Sequence, residues 1–144
     1  MTRDIDNMQD LLDVRDLIAR VEELEEEREE LIEAVGEATD KEMARQAIRD
    51  WEALWLNELE TLASLMDDMK GYGGDEQWRG DWYPLTMIRD SYFKNYAMEL
   101  AEDIGAIPAD TAWPCTCIDW DKAARELRTD YTSVEYDGIS YWVR

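Results

Sequence analysis

For seventy residues this chain offers almost nothing to interrupt a helix: segment 1–70 contains no proline and a single glycine, Gly36. Within it the apolar residues return at three- and four-residue steps. Val14, Leu17, Val21, Leu24, Leu31 and Val35 make one stripe, widened on one side by Leu11, Ile18 and Ile32. Such a stripe is buried when a helix lies against another apolar surface. Gly36 is placed to end this helix, and Thr39 with Glu42 has the spacing of a capping box for the next. From about Asp40 to Met69 a second stripe follows: Ala44, Ile48, Trp51, Trp55, Leu59, Leu62, Leu65, Met66 and Met69. Two amphipathic helices joined by a short turn fold back as an antiparallel hairpin. Trp51 and Trp55, one turn apart, are expected in its core. Arg28 interrupts the first seam and is expected beside an acid of the opposing stripe such as Glu58, where it would fix the register.

At Gly71-Tyr72-Gly73-Gly74-Asp75 the character changes. Residues 71–144 hold all three prolines, six of the seven glycines and most of the aromatics. The pattern predicts a helix from Ser91 to Ile104, with Tyr92, Tyr96, Leu100 and Ile104 along one side and Gly105 just beyond its end. A proline-bearing connection, Ala106 to Thr116, leads to a short helix capped by Asp119 and ending near Arg128. Val134, Tyr136, Ile139, Tyr141 and Val143 fall on one face of a hairpin turning at Asp137-Gly138, a dipeptide suited to a type I′ turn. A further strand is expected near Tyr83–Ile88. Trp78, Trp82 and Trp113 are expected in loops, as pins to the core or as interface anchors. The fold class is therefore α+β and mostly helical: a long acidic hairpin over 1–70, then a small α/β module over 71–144 that closes with a β-hairpin.

Thirty-six acidic and fifteen basic residues, with no histidine, give a formal charge of −21. The first region carries 22 acids and 8 bases, the second 14 and 7. Without histidine there is no histidine-dependent triad and no imidazole metal ligand. The Gly71–Gly74 run is followed by Asp75 and Glu76, which repel phosphate. Cys115 and Cys117 lack the second pair that a tetrahedral metal site needs and read as ordinary thiols. Asp119 and Asp121 read as a helix cap and a first-turn acid, and Asp67-Asp68 as a solvated helix end. No cofactor, metal or catalytic residue is called for. No apolar stretch approaches the roughly 20 residues of a membrane span, and the acidic N-terminus lacks the apolar core of a secretory signal. These features suggest a soluble, reduced, cytoplasmic protein. A field of this sign repels nucleic acid and anionic membranes and attracts basic protein surfaces.

The charge is concentrated. Opposite the first stripe lie Glu22, Glu23, Glu26, Glu29, Glu30, Glu33 and Glu37, and between Glu22 and Glu37 the one cation is Arg28. Like charges four residues apart on a helix cost about 0.2–0.5 kcal/mol per pair; an ordinary surface alternates signs instead. A helix of about 30 residues is about 45 Å long, and duplex DNA of that length carries about 26 phosphates. The hairpin has roughly half that density of charge or slightly more. It is expected to imitate DNA toward a protein that reads phosphates rather than bases. The competing expectation is an acidic coiled-coil assembly, with self-association as a homodimer.

The closing third adds a resemblance. The run Tyr92-Phe-Lys-Asn-Tyr-Ala-Met-Glu-Leu-Ala-Glu-Asp-Ile-Gly105, then Ile118-Asp-Trp-Asp-Lys-Ala-Ala-Arg-Glu-Leu127, then Asp130-Tyr-Thr-Ser-Val134 and Asp137-Gly-Ile-Ser-Tyr-Trp-Val143, resembles the C-terminal domain of ArdA-type antirestriction proteins. Those phage and mobile-element proteins are acidic mimics of B-form DNA that occupy the DNA-binding groove of type I restriction–modification enzymes. The long acidic hairpin stands where they carry N-terminal and central α/β domains. The resemblance implies a non-enzymatic inhibitor of a DNA-binding host-defence complex. Its target would be a restriction–modification enzyme or, equally compatible with the surface, a CRISPR effector. By that implication Glu99, Glu102, Asp103, Asp119, Asp121, Glu126 and Asp130 join the hairpin acids as partner-binding residues.

Overall fold

A computed structural model describes residues 5–108, 110 and 112–144. It is a mostly helical α+β fold. The element order is β1 (Leu11–Asp13), α1 (Val14–Glu37), α2 (Lys41–Met69), β2 (Asp75–Trp78), β3 (Asp81–Tyr83), β4 (Thr86–Arg89), α3 (Phe93–Asp103), α4 (Trp120–Arg128), β5 (Thr132–Tyr136) and β6 (Ile139–Val143). Short 3₁₀ turns precede α3 (Asp90–Tyr92) and α4 (Cys115–Cys117). Among the described residues no helix is long and apolar enough to cross a membrane.

The two long helices run antiparallel. Glu58 faces Arg20, Glu52 faces Arg28 and Trp51 faces Glu27, so one chain index rises as the other falls. Arg28 reaches Glu52 at 3.5 Å, not Glu58, which is taken by Arg20 at 2.8 Å. The sequence expectation was wrong by about two helical turns because both arginines lie near the seam. Asp40, not Thr39, caps α2 by accepting from the Met43 amide at 3.1 Å. Leu11, expected on the first helix, lies instead in β1 and is exposed. Asp13 ends that strand and caps α1, accepting from the Arg15 amide at 2.9 Å.

Four strands form an antiparallel sheet in the order β1-β4-β6-β5. Leu12 pairs with Met87, Ile88 with Trp142, and Val134 with Tyr141. Strand alternation sends Met87, Val134, Tyr136, Tyr141 and Val143 to one face, where they join Val14, Leu17, Val21, Leu24, Leu62, Met66 and Met69 in a single core. Ile88 and Trp142 point the other way, onto Phe93, Ala97 and Ala124 of α3 and α4. The molecule is thus three layers: helical hairpin, sheet, and a small helix pair. One hydrophobic core crosses the 70/71 boundary, and β1, from the first region, is an edge strand of the second region's sheet.

Two further differences have local causes. The buried face of α3 is Phe93 and Ala97, one residue on from the expected Tyr92, Leu100 and Ile104, and Ile104 is exposed. Phe93 anchors an aromatic cluster with Tyr96, Tyr131 and Trp142, its ring lying 5.2 Å from that of Tyr131. Trp78 and Trp82 lie on an irregular two-stranded β2–β3 hairpin rather than in loops. Gly74, at φ +68°, precedes it, and a Cβ there would collide with the Tyr83 carbonyl. Trp113 does lie in a loop and is exposed, whereas Ala109 and Thr111 of the same connection fall outside the described residues.

Toward the hairpin tip the packing thins. The buried residues of α1 end at Leu24 and those of α2 begin at Trp51. Beyond them Leu31, Val35, Ala44 and Ile48 are half-buried and Ile32 is exposed. The outer part of the hairpin is therefore two helices packed on each other alone. Trp55, expected in the core, is 39% exposed, with the Arg20 guanidinium stacked over it at 5.5 Å.

Candidate functional site: the acidic faces

Among the described residues no charged or polar side chain is buried. The acids are therefore all available to the surface, and their arrangement follows from the helices. On α1 the apolar stripe turns inward, and the 100° step between residues puts Glu26, Glu30, Glu33 and Glu37 on the opposite side with Glu22 and Glu29 on its flank. All six are exposed. From Glu22 to Glu37 the helix rises about 22 Å. Six carboxylates with their ends that far apart stand about 4.5 Å from one another along the axis, against the roughly 3.4 Å spacing of charge along one DNA strand.

The acids differ in how they are held. Near the hairpin root they have partners. Arg20 bridges Glu23 and Glu58, at 2.8 Å to each, and hydrogen bonding to Glu58 raises its pKa above the ordinary arginine value. The Trp78 indole donates to Glu22 at 2.8 Å, Arg79 donates to Glu25 at 2.5 Å, and the Trp51 indole donates to Glu27 at 3.1 Å. Farther out, none of Glu26, Glu29, Glu30, Glu33 and Glu37 has an ion-pair or hydrogen-bond partner among the described residues. Glu33 and Glu37 also sit near the negative end of the helix dipole, the unfavourable end for an acid. Lys41 offsets part of this by donating to the Val35 and Gly36 carbonyls at 2.7 and 3.0 Å.

The C-terminal acids are placed elsewhere. Glu99 accepts from the Tyr92 hydroxyl at 2.6 Å, Asp119 caps α4 by accepting from the Lys122 amide at 3.1 Å, and Asp121 pairs with Lys94 at 3.3 Å. Glu102, Asp103, Glu126 and Asp130 are exposed. These residues belong to the α3–α4 layer, across the sheet from the hairpin. The fold therefore divides the sequence-predicted acids into two groups rather than joining them in one ridge. In the α1 group Arg20 pairs with Glu23 and Arg28 turns inward to Glu52, which leaves the acids from Glu26 to Glu37 on the outer face without a cation partner among the described residues; the α3–α4 group is interleaved with Lys94, Lys122, Arg125 and Arg128.

Three residues that position this surface were not singled out for it from sequence. Arg20 ties α1 to α2, and Trp78 and Arg79 clamp the β2–β3 hairpin onto Glu22 and Glu25. A cation at an i, i+3 spacing from Glu23 was a visible signal for Arg20; no local pattern marks contacts across 54 and 56 residues. No family model matches the chain, and neither does any curated protein or solved structure.

Proposed function

We propose that the protein is a non-enzymatic DNA mimic that inhibits a DNA-binding host-defence complex by occupying its phosphate-binding groove. One observation carries this reading: a fixed row of exposed, unpartnered carboxylates on α1, Glu26, Glu29, Glu30, Glu33 and Glu37, about 4 Å apart along the axis against about 3.4 Å along a DNA strand. In the free protein these groups repel one another. In a groove lined with lysine and arginine each replaces a phosphate, and the repulsion becomes attraction. Because the row rides on a helix anchored through Arg20, Trp78 and Arg79, little ordering is needed on binding. Such a surface carries no base edges, so it acts on enzymes of differing sequence specificity. The resemblance of the closing third to ArdA-type proteins agrees with this mechanism and favours a type I restriction–modification enzyme over a CRISPR effector as the target. The test is inhibition of DNA cleavage by a purified type I enzyme. Duplex DNA competes with a mimic, and added salt weakens its hold. Inhibition insensitive to both rules the reading out.

The assembly reading has one observation in its favour. Met43, Ala47 and Leu54 lie at four- and seven-residue steps on α2 and are all exposed, a second apolar stripe interrupted by Asp50. Light scattering across a concentration series tests it: a monomer throughout removes it.

A further inference from the structure

A groove runs between α1 and α2 on one flank of the hairpin, with a volume of about 420 Å³. Its floor is apolar, made by Ile32, Leu56, Leu59 and Ala63, and its rim is acidic, with Glu29 on one side and Glu60 on the other. Ile32 is 46% exposed, a large apolar side chain left in water beside a seam that has room for more packing. Arg28 lies in the wall. Its Nε is buried and has no hydrogen-bond partner among the described residues, while its guanidinium pairs with Glu52 at 3.5 Å.

From this groove we infer a second recognition element for the basic partner: a cationic amphipathic helix of the target that lays its apolar side on Ile32 and Leu56. The inference rests on the mimic reading above and names a part of the partner that DNA does not imitate. A phosphate-reading groove gains nothing from an apolar floor. A helix with leucine-like residues at i, i+3 and i+4 does, while its lysines and arginines reach Glu29 and Glu60 across the rim and run on to Glu33. The alternatives fail on charge. A second copy brings a hairpin region of 22 acids and 8 bases against the same face, and nucleic acid or an acidic peptide meets carboxylates on both rims.

The probe is a fluorescent amphipathic peptide of leucine and lysine in a heptad pattern, compared with an oligolysine of equal charge. Fluorescence anisotropy on the whole protein is expected to show the amphipathic peptide binding about tenfold more tightly. Two exposed changes, Ile32→Ser and Ala63→Gln, spoil the floor without touching the buried core. Together they are expected to abolish that preference and leave oligolysine binding unchanged. A ridge variant (Glu26, Glu30, Glu33 and Glu37 to Gln) weakens both peptides alike. Equal binding of the two peptides by the unaltered protein, or a preference that survives both floor changes, overturns the groove proposal. Failure of duplex DNA to compete in the cleavage assay overturns mimicry instead, so the two ideas fall to different results.

Discussion

Replacing Glu26, Glu29, Glu30, Glu33 and Glu37 by glutamine separates the two roles an acidic face can have, because stability and inhibition are expected to move in opposite directions. The five residues contain five like-charge pairs at three- or four-residue spacing: Glu26 with Glu29 and Glu30, Glu33 with the same two, and Glu33 with Glu37. At about 0.2–0.5 kcal/mol per pair, relieving them stabilises the fold by about 1–2.5 kcal/mol. Glutamine matches glutamate in helix propensity, so little opposes that gain, and removing negative charge from the last turn of α1 adds to it. For a chain of this size the melting temperature rises by about 2–10 °C. Glu22, Glu23, Glu25 and Glu27 are left intact because they hold Trp78, Arg20, Arg79 and Trp51. Five lost contacts with a cationic groove, at about 0.2–1 kcal/mol each, cost about 3 kcal/mol, a loss on the order of a hundredfold in affinity. Thermal melts measure the first effect. In vitro cleavage by a type I enzyme, and plating of unmodified phage on a restricting host, measure the second. A variant that melts higher yet inhibits undiminished refutes the reasoning about function. One that melts lower refutes the reasoning about repulsion.

Other outcomes follow from single contacts. Arg20→Met leaves Glu23 and Glu58 without their shared cation, and chemical denaturation should show a loss of about 1.5–3 kcal/mol. Phe93→Ala empties the centre of the α3–α4 aromatic cluster and should cost about 3–5 kcal/mol by the same measurement, with the loss of near-ultraviolet circular dichroism greater than that of the helical signal. In alkali the fold should weaken between about pH 10 and 12. Burial, reinforced by a bond to Tyr131, pushes the Tyr96 phenol up to about 12, and burial with nearby Glu58 does the same for Tyr136. The folded state keeps protons that the unfolded chain releases, so stability present below pH 10 is lost as pH rises through 12. A pH series of denaturation midpoints checks this, and a flat response contradicts it.

The long helices were legible because two independent signals agreed, a 3.6-residue apolar period and an absence of breakers. The β5–β6 hairpin was legible because Asp137 and Gly138 both take positive φ, at 50° and 83°, as a type I′ turn requires. What escaped was set by partners distant in sequence. Leu11–Asp13 looks like the start of a helix until Thr86–Ile88 is there to pair with it. Asp75–Trp78 reads as a polar loop until Asp81–Tyr83 folds back along it. The Glu58 partner was misassigned because periodicity specifies which face is buried but not which turn of one helix meets which turn of the other. The acidic face of α1 was visible residue by residue. Its division from the Glu99–Asp130 group was not, since only the sheet between the layers separates them.

The thinly packed outer hairpin gives the fold an adjustable reach. Sheet and core hold the hairpin at its root, through β1, Leu24 and Trp51, and nothing beyond those residues is needed to close the centre of the molecule. Seven residues added to α1 and seven to α2 would carry the turn at residues 38–40 outward by about 10 Å while preserving the seam. The charged arm can therefore be lengthened or shortened in whole heptads without redesigning the globular base that carries it.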